Sequence, residues 1–298
     1  MPIKPEFEFL RKACLKKLED GTEGFRIRTI RLRKQISQGL AMPLNILPEY
    51  NSANGFEVGF DITEIMGVML WQPPIPADLK GLIKGPFPSF MPKTDETRVQ
   101  VLQPVLTRYK GKECYITEKV DGASCTVYLY NGEFGVCSRN LDLKESEGNA
   151  FWKAVRAAKV EEKMRKSFIG NWAIQGELLG AGLQENRLHI EGKKILWLNV
   201  FDIDIFKYLN FREFLFCMNK QLELETVPII TEEYGLDDNI ENLVKMSIGR
   251  SLIYPKAWRE GIVIRPIEEM IDLQMSSEFN NGRVSFKVVN SEYLIEEA

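Results

Sequence analysis

The stretch Tyr115-Ile116-Thr117-Glu118-Lys119-Val120-Asp121-Gly122 presents a lysine, a carboxylate and a glycine at the end of an apolar run. A lysine amine attacks an electrophile only when it is deprotonated. A nucleophilic lysine therefore needs burial or a neighbouring cation, and an adjacent carboxylate helps to hold such a cation. Lys119 is the candidate nucleophile and Asp121 that carboxylate. Gly122 removes a side chain where a phosphate or sugar would approach the backbone closely. Taken alone, Lys-x-Asp-Gly also describes an ordinary solvated turn.

Composition narrows the chemistries that remain. The chain has 298 residues, 44% apolar and 27% charged, which is room for one sizeable domain and a smaller one. It has one histidine, His189, so metalloprotease, Ser-His-Asp and histidine-nuclease chemistries are left with a single imidazole beside an expected turn. The five cysteines are scattered without a Cys-x-x-Cys pair, and we expect reduced thiols and neither disulfides nor zinc. No apolar run reaches 18 residues and the first twenty residues are too charged for a secretory signal. The expectation is a protein of the cytoplasm or nucleus with no membrane partner. Net charge is −3, but residues 1–34 carry ten Lys or Arg against five acids, a local basic surface of the kind that meets a phosphate backbone.

The elements that must position Lys119 follow from pattern. Ser124–Tyr130 and Glu133–Ser138 are β-rich runs around Asn131-Gly132, a strong hairpin signal. Pairing Tyr130 with Glu133 and counting back sets Ser124 opposite Arg139, which returns Arg139 to the Lys119 loop. Phe151–Arg165 reads as one amphipathic surface helix, and Thr94 before two acids as the opening of another short helical stretch. Residues 172–177 and 195–205 read as strands, Asn210-x-x-Glu213 as a helix start, and Asp238 as a second one. In the last strand Phe286 and Val288 face one way and Ser285 and Lys287 the other. Phe25–Arg33 alternates with a phase slip at Thr29-Ile30, a strand with a bulge, followed by a turn and a further short strand to Leu44. Six prolines between Pro73 and Pro92 mark a domain boundary. Strands outnumber helices without βαβ alternation, so the fold class is α+β with antiparallel sheets.

Downstream of Lys119 come Ser138-Arg139-Asn140, Gln175-Gly176-Glu177-Leu178, Asn199-Val200-Phe201-Asp202-Ile203, Glu260-Gly261-Ile262-Val263-Ile264-Arg265 and Ser285-Phe286-Lys287-Val288. This succession resembles the motif series of the covalent nucleotidyltransferases, the superfamily of ATP-dependent DNA ligases, RNA ligases and capping enzymes. The resemblance implies that Lys119 attacks the α-phosphorus of ATP to form a lysyl-AMP. The AMP then passes to a 5′-phosphate, and a 3′-hydroxyl displaces it to make a phosphodiester. It implies Mg2+ (or Mn2+) organised by Asp121, Glu177 and Glu260 through the water shell, which suits an ion that keeps several waters. Glu118, Arg139, Glu177 and Lys287 would contact the nucleotide, and Arg98 its β and γ phosphates. In Ile195–Ile203 the place of the purine-stacking aromatic is held by Leu198, so Trp197 or Phe201 would substitute.

Phe87-Pro88-Ser89-Phe90-Met91-Pro92-Lys93-Thr94-Asp95-Glu96 with Arg98 and Gln100, and Ser37-Gln38-Gly39-Leu40, resemble nick-sealing RNA ligases that bear an N-terminal OB-like module. The chain ends eleven residues after Lys287, which leaves no place for a following OB domain. The implied organisation is an incomplete OB-like module and linker over 1–85, with Phe7, Phe9 and Leu10 left uncovered, then a nucleotidyltransferase domain of antiparallel sheets flanked by helices over 86–298. The implied function is an ATP-dependent RNA ligase, a monomer acting on nicked duplex or RNA ends. A DNA ligase, a GTP-using capping enzyme and a catalytically idle nucleic-acid-binding homologue remain open.

Overall fold

The computed structural model describes residues 7, 10, 14–17, 22–27, 30–32, 35–37, 40–47, 60, 62–68, 81–272, 275 and 282–296. Phe9, Arg28, Arg33, Lys34 and the stretch 71–80 with its three prolines lie outside the described residues. The chain divides into two compact units, residues 1–80 and 81–298.

In the first unit, β1 (Leu15–Lys17) pairs antiparallel with β2 (Glu23–Phe25), and β3 (Ile30–Leu32) with β4 (Gln35–Ser37). The bulged strand expected over Phe25–Arg33 is thus divided between β2 and β3. Leu40–Pro43 forms no strand and leads into a 3-10 turn, Leu44–Ile46, that follows Pro43. Phe7 is not uncovered: it is fully buried with Phe25, Leu47 and Met66, and Leu10, Met42 and Ile62 pack against them. Met66 supplies part of that core, so this unit reaches at least that far.

The second unit contains β5 (Ile83–Pro86), β6 (Thr97–Arg98), α1 (Gln103–Arg108), β7 (Glu113–Lys119), β8 (Ala123–Tyr130), β9 (Glu133–Cys137) and β10 (Leu141–Leu143). Then come α2 (Ala150–Ala157), α3 (Val160–Ser167), β11 (Trp172–Gly180), β12 (Lys193–Asp202), β13 (Lys207–Tyr208) and α4 (Phe211–Phe216). It ends with β14 (Ile229–Gly235), α5 (Ile240–Ser247), β15 (Gly261–Pro266), β16 (Phe286–Val289) and α6 (Ser291–Glu296). One sheet has seven strands in the order β13-β12-β11-β8-β9-β10-β5 and the other five in the order β14-β7-β15-β16-β6. Among the described residues all ladders are antiparallel except β16 with β6. β5 joins the seven-stranded sheet, so residues 83–85 belong with this unit and not with the linker.

Packing explains where sequence pattern misleads. Phe151–Arg165 is two helices, because Lys159 adopts a left-handed φ of 52° between α2 and α3 and lets Trp152, Val155, Val160 and Met164 all reach the core. Thr94 caps nothing: its Oγ1 lies 2.8 Å from Ser124 Oγ, and α1 begins only at Gln103, with proline in its first turn. Asn210 and Glu213 do form a reciprocal capping box on α4. The second helix start shifts by one residue, to Asn239, whose side chain accepts from Asn242 N. β7 is buried on both faces, with Cys114 and Ile116 in a core shared with Leu106, Leu243, Ile262, Phe286 and Val288.

Candidate active site

Lys119 is the last residue of β7, in the five-stranded sheet, and Ala123 the first of β8, in the seven-stranded one, so Val120–Gly122 is a crossing between sheets. Every other site element is a neighbour of that crossing. β15 lies beside β7 with Gly261 opposite Lys119, which puts Glu260 at the same end. β16 pairs Lys287 with Val263 and Phe286 with Ile264. Phe286 and Val288 are fully buried while Lys287 reaches the cavity, as the alternation predicts. On the other side β11 pairs Glu177 with Ser124.

The result is a cavity of about 480 Å³ walled by Glu118, Lys119, Asp121, Arg139, Glu177, Glu260 and Lys287, with Asp95, Phe151, Leu198, Val227 and Val263. The hairpin register holds from Tyr130↔Glu133 to Thr126↔Cys137 and then stops, because β9 ends at Cys137 and the chain turns back into β10, with Ser138 N donating to Leu141 O at 2.9 Å. The expected Ser124–Arg139 pair is therefore not in the ladder, although Arg139 still reaches the same cavity. There its Nη2 meets Asp95 Oδ1 at 2.5 Å.

Lys119 Nζ lies 2.6 Å from Glu260 Oε1, with the two side chains 24% and 18% exposed. Glu260 Oε2 is buried without a partner. Burial, with nearby Asp121, pushes the Glu260 carboxyl upward against the pull of Lys119. Burial likewise pushes Glu177 up to about 7, with Glu260 and Asp121 adding repulsion and Lys119 opposing. Burial and then the charge of Lys119 hold Lys287 below its usual value. Three carboxylates around one cavity, two of them resisting ionisation, form a site short of positive charge. Among the described residues no three such side chains sit close enough to ligate a metal directly. The arrangement fits a hydrated divalent cation, held through its waters, and not a dehydrated one.

Glu118 is 2% exposed; its Oε2 accepts from Leu252 N at 2.7 Å, and its Oε1 has no partner. Burial pushes its carboxyl upward. Trp197 and Phe201, the expected purine partners, are each 1% exposed and absent from the cavity wall. The register shift between Gln175 and Gly176 of β11 skips Leu198 and puts Trp197 on the face of Gly176. Phe201 pairs with Ala173 on the Glu177 face but packs with Tyr128, Ile203 and Tyr208, and Leu198 is the residue of β12 at the cavity. Arg98 is exposed on β6, in register with Lys287 but outside the wall. Gly122 answers to the protein and not only to a ligand: a Cβ there would meet Leu178 O at 2.7 Å and Leu179 Cδ2 at 2.6 Å. His189 lies away from the cavity, its ring 4.6 Å from that of Tyr254.

Sequence reading missed Asp95 as the partner of Arg139, Phe151 and Val227 as wall residues, and Tyr293, whose hydroxyl donates to Asp121 Oδ2 at 2.6 Å. Only Asp95 had a signal, as part of the quoted 87–96 segment. The others are apolar or aromatic residues whose role depends on tertiary approach.

A family model described as RNA ligase matches residues 112–289, and one described as an OB-fold domain matches residues 1–44. No curated protein matches the chain. Among solved structures, the chain is similar to Naegleria gruberi RNA ligase. A lysine-to-methionine mutant with AMP and Mn is 34% identical over 99% of this chain and 83% of that one, with a TM-score of 0.66. A lysine-to-alanine mutant with ATP and Mn is 34% identical over 98% and 81%, with a TM-score of 0.66. The same ligase with PPi is 34% identical over 99% and 83%, with a TM-score of 0.64.

Proposed function

The chain belongs to the RNA ligase family, and on that premise we propose that it seals 3′-hydroxyl and 5′-phosphate ends of RNA through a lysyl-AMP made from ATP. The observation that carries this is Lys119 at the crossing of two sheets, in one cavity with Asp121, Glu177, Glu260, Arg139 and Lys287. AMP and PPi, each seen with the Naegleria ligase, are the two fragments left when ATP is cut between its α and β phosphates.

Lys119 Nζ attacks the α-phosphorus, the bond to the bridging oxygen breaks, pyrophosphate leaves and the amine gives up one proton. Lys119 must part from Glu260 for its electron pair to be available. A hydrated divalent cation, Mg2+ or Mn2+, held by Asp121, Glu177 and Glu260, would supply charge neutralisation at the triphosphate. Lys287 and Arg139 present positive charge to the transferring phosphoryl group, with Arg98 placed beside Lys287 for the outer phosphates. An oxygen of the RNA 5′-phosphate next takes the AMP, breaking the P–N bond and freeing Lys119. The 3′-hydroxyl then attacks that 5′-phosphorus, loses its proton and expels AMP.

The unpartnered Glu118 Oε1 offers an acceptor to the exocyclic amine of adenine, whereas guanine presents a carbonyl oxygen in that place. Leu198 and Val263 supply apolar surface for the purine. Residues 1–80 form the OB-like module that engages nucleic acid, and the enzyme acts as a monomer in the cytoplasm or nucleus. Among the described residues no helix is long and apolar enough to cross a membrane.

Incubation with α-labelled ATP or GTP and Mg2+, followed by denaturing electrophoresis and then addition of an RNA-ended nicked duplex, tests the proposal. Label from ATP that moves to the 5′ end and leaves on sealing is expected. Label from GTP would mean a capping enzyme, sealing confined to DNA ends a DNA ligase, and no label a binding protein.

A further inference from the structure

The residues after β16 make contacts that the motif series, which ends at Lys287, does not account for. Asn290 is fully buried: its backbone N–H donates to Glu260 O at 2.9 Å and its Nδ2 to Arg259 O at 2.9 Å, while its Oδ1 accepts from Glu292 N at 2.9 Å. One residue further on, Tyr293 donates its hydroxyl to Asp121 Oδ2 at 2.6 Å. Its ring is 6% exposed and lies 4.7 Å beneath the Arg187 guanidinium, which also donates to Tyr293 O at 3.5 Å. The start of α6 thus grips both flanks of the nucleophile, Glu260 through the backbone and Asp121 through the side chain.

We infer that Tyr293 is a positioning residue for nucleotidyl transfer: it clamps the Asp121 carboxylate by one oxygen, so that the other is presented in a fixed place beside Lys119. The physical need is specific to this cavity. Asp121 stands on the three-residue crossing between sheets, near the carboxylates of Glu177 and Glu260, and repulsion among them would turn an untethered aspartate outward. A hydrogen bond to a charged acceptor is stronger than a neutral one and directional enough to select one rotamer. A tyrosine hydroxyl keeps its proton at neutral pH, so it serves as the donor. Arg187, from the loop between β11 and β12, holds the ring in place, so the clamp joins two separated segments to the nucleophile loop.

This inference rests on the ligase reading, and Tyr293→Phe separates the two because it keeps the ring and its Arg187 contact and removes only the donor. The rate of Lys119 labelling is measured as a function of ATP for wild type and Y293F, together with thermal stability and a crystal structure of the variant. Expected are a loss of about tenfold in the labelling rate at saturating ATP, an ATP KM within about twofold of wild type, thermal stability close to wild type, and an Asp121 carboxylate displaced from its native position. A purely structural tyrosine would lower stability and leave the rate per folded molecule unchanged. That result overturns the inference, as does an unmoved Asp121 in the variant. If wild type takes no label from ATP, the ligase reading fails, and the position of Asp121 in the Y293F structure still decides whether the clamp exists.

Discussion

The pair between Lys119 and Glu260 keeps a nucleophile in contact with a carboxylate whose second oxygen has no partner, so the cavity holds a charge arrangement that a metal-bound triphosphate would complete. Glu177 reports on that arrangement through pH. Its folded-state value near 7 lies above the ordinary carboxylate range, so the folded protein binds the proton more tightly than the unfolded chain. Stability of the metal-free protein should therefore fall as pH rises from about 4.5 through about 7, and Mn2+ affinity should rise over the same interval as the carboxylate ionises. Glu177→Gln should flatten both, as seen by thermal denaturation and calorimetric titration; an unchanged pH dependence of metal affinity in that variant would exclude Glu177 from the site. Leu198 allows a second check. Placing an aromatic ring there should add about 0.5–1.5 kcal/mol of stacking, so Leu198→Phe should lower the ATP KM about two- to tenfold in single-turnover kinetics.

Among the elements, what holds the cavity wall is a set of buried ion pairs, one of which, Arg265 with Glu96, is part of the wall itself. Arg265, 2% exposed, donates from Nη2 to Glu96 Oε1 at 2.8 Å and from Nε to Ser285 Oγ at 2.9 Å. Burial alone would raise the Glu96 carboxyl, but Arg265 and Arg283 outweigh it and hold it below the usual range. Glu96 therefore contributes stability above the ordinary carboxylate pKa and loses it as pH falls through the lowered one. Glu96→Ala leaves a buried guanidinium uncompensated and should destabilise by about 3–5 kcal/mol in denaturant unfolding. Glu145→Ala, which breaks the exposed pair with Arg156, should change stability by no more than about 1 kcal/mol.

The same elements show what was legible in the sequence. Local rules found the Asn131-Gly132 turn, the Asn210–Glu213 capping box and the facing of Lys287, because each is settled within a few residues. The ladder end at Thr126, the break at Lys159 and the burial of Trp197 and Phe201 away from the cavity were not legible. The first two are local turns that no glycine or proline marks, and the third depends on a register shift against β11 and on residues brought in from far along the chain. Gly122 illustrates both sides: the motif marks it, yet a side chain there would also meet Leu179 Cδ2 and the Leu178 carbonyl of β11.

For the whole molecule, the two units separate the chemistry into parts. All the residues lining the nucleotide cavity belong to 81–298, and Phe7, Phe25, Leu47 and Met66 give the first unit its own core. The basic excess of residues 1–34 lies in that first unit. Deleting residues 1–80 should leave labelling of Lys119 by ATP within about threefold of wild type while lowering sealing of a pre-adenylylated nick about tenfold or more, on the scale of lost phosphate contacts. Equal losses in both steps would make the first unit part of the catalytic fold. The central claim, that Lys119 carries the AMP, is tested most directly by intact and peptide mass spectrometry of wild type, Lys119→Ala and Lys119→Arg after incubation with ATP and Mg2+. The account predicts one AMP on the wild-type peptide containing Lys119, stable to alkali and released by acid as a P–N bond requires, and none on either variant; an AMP retained by either variant would contradict it.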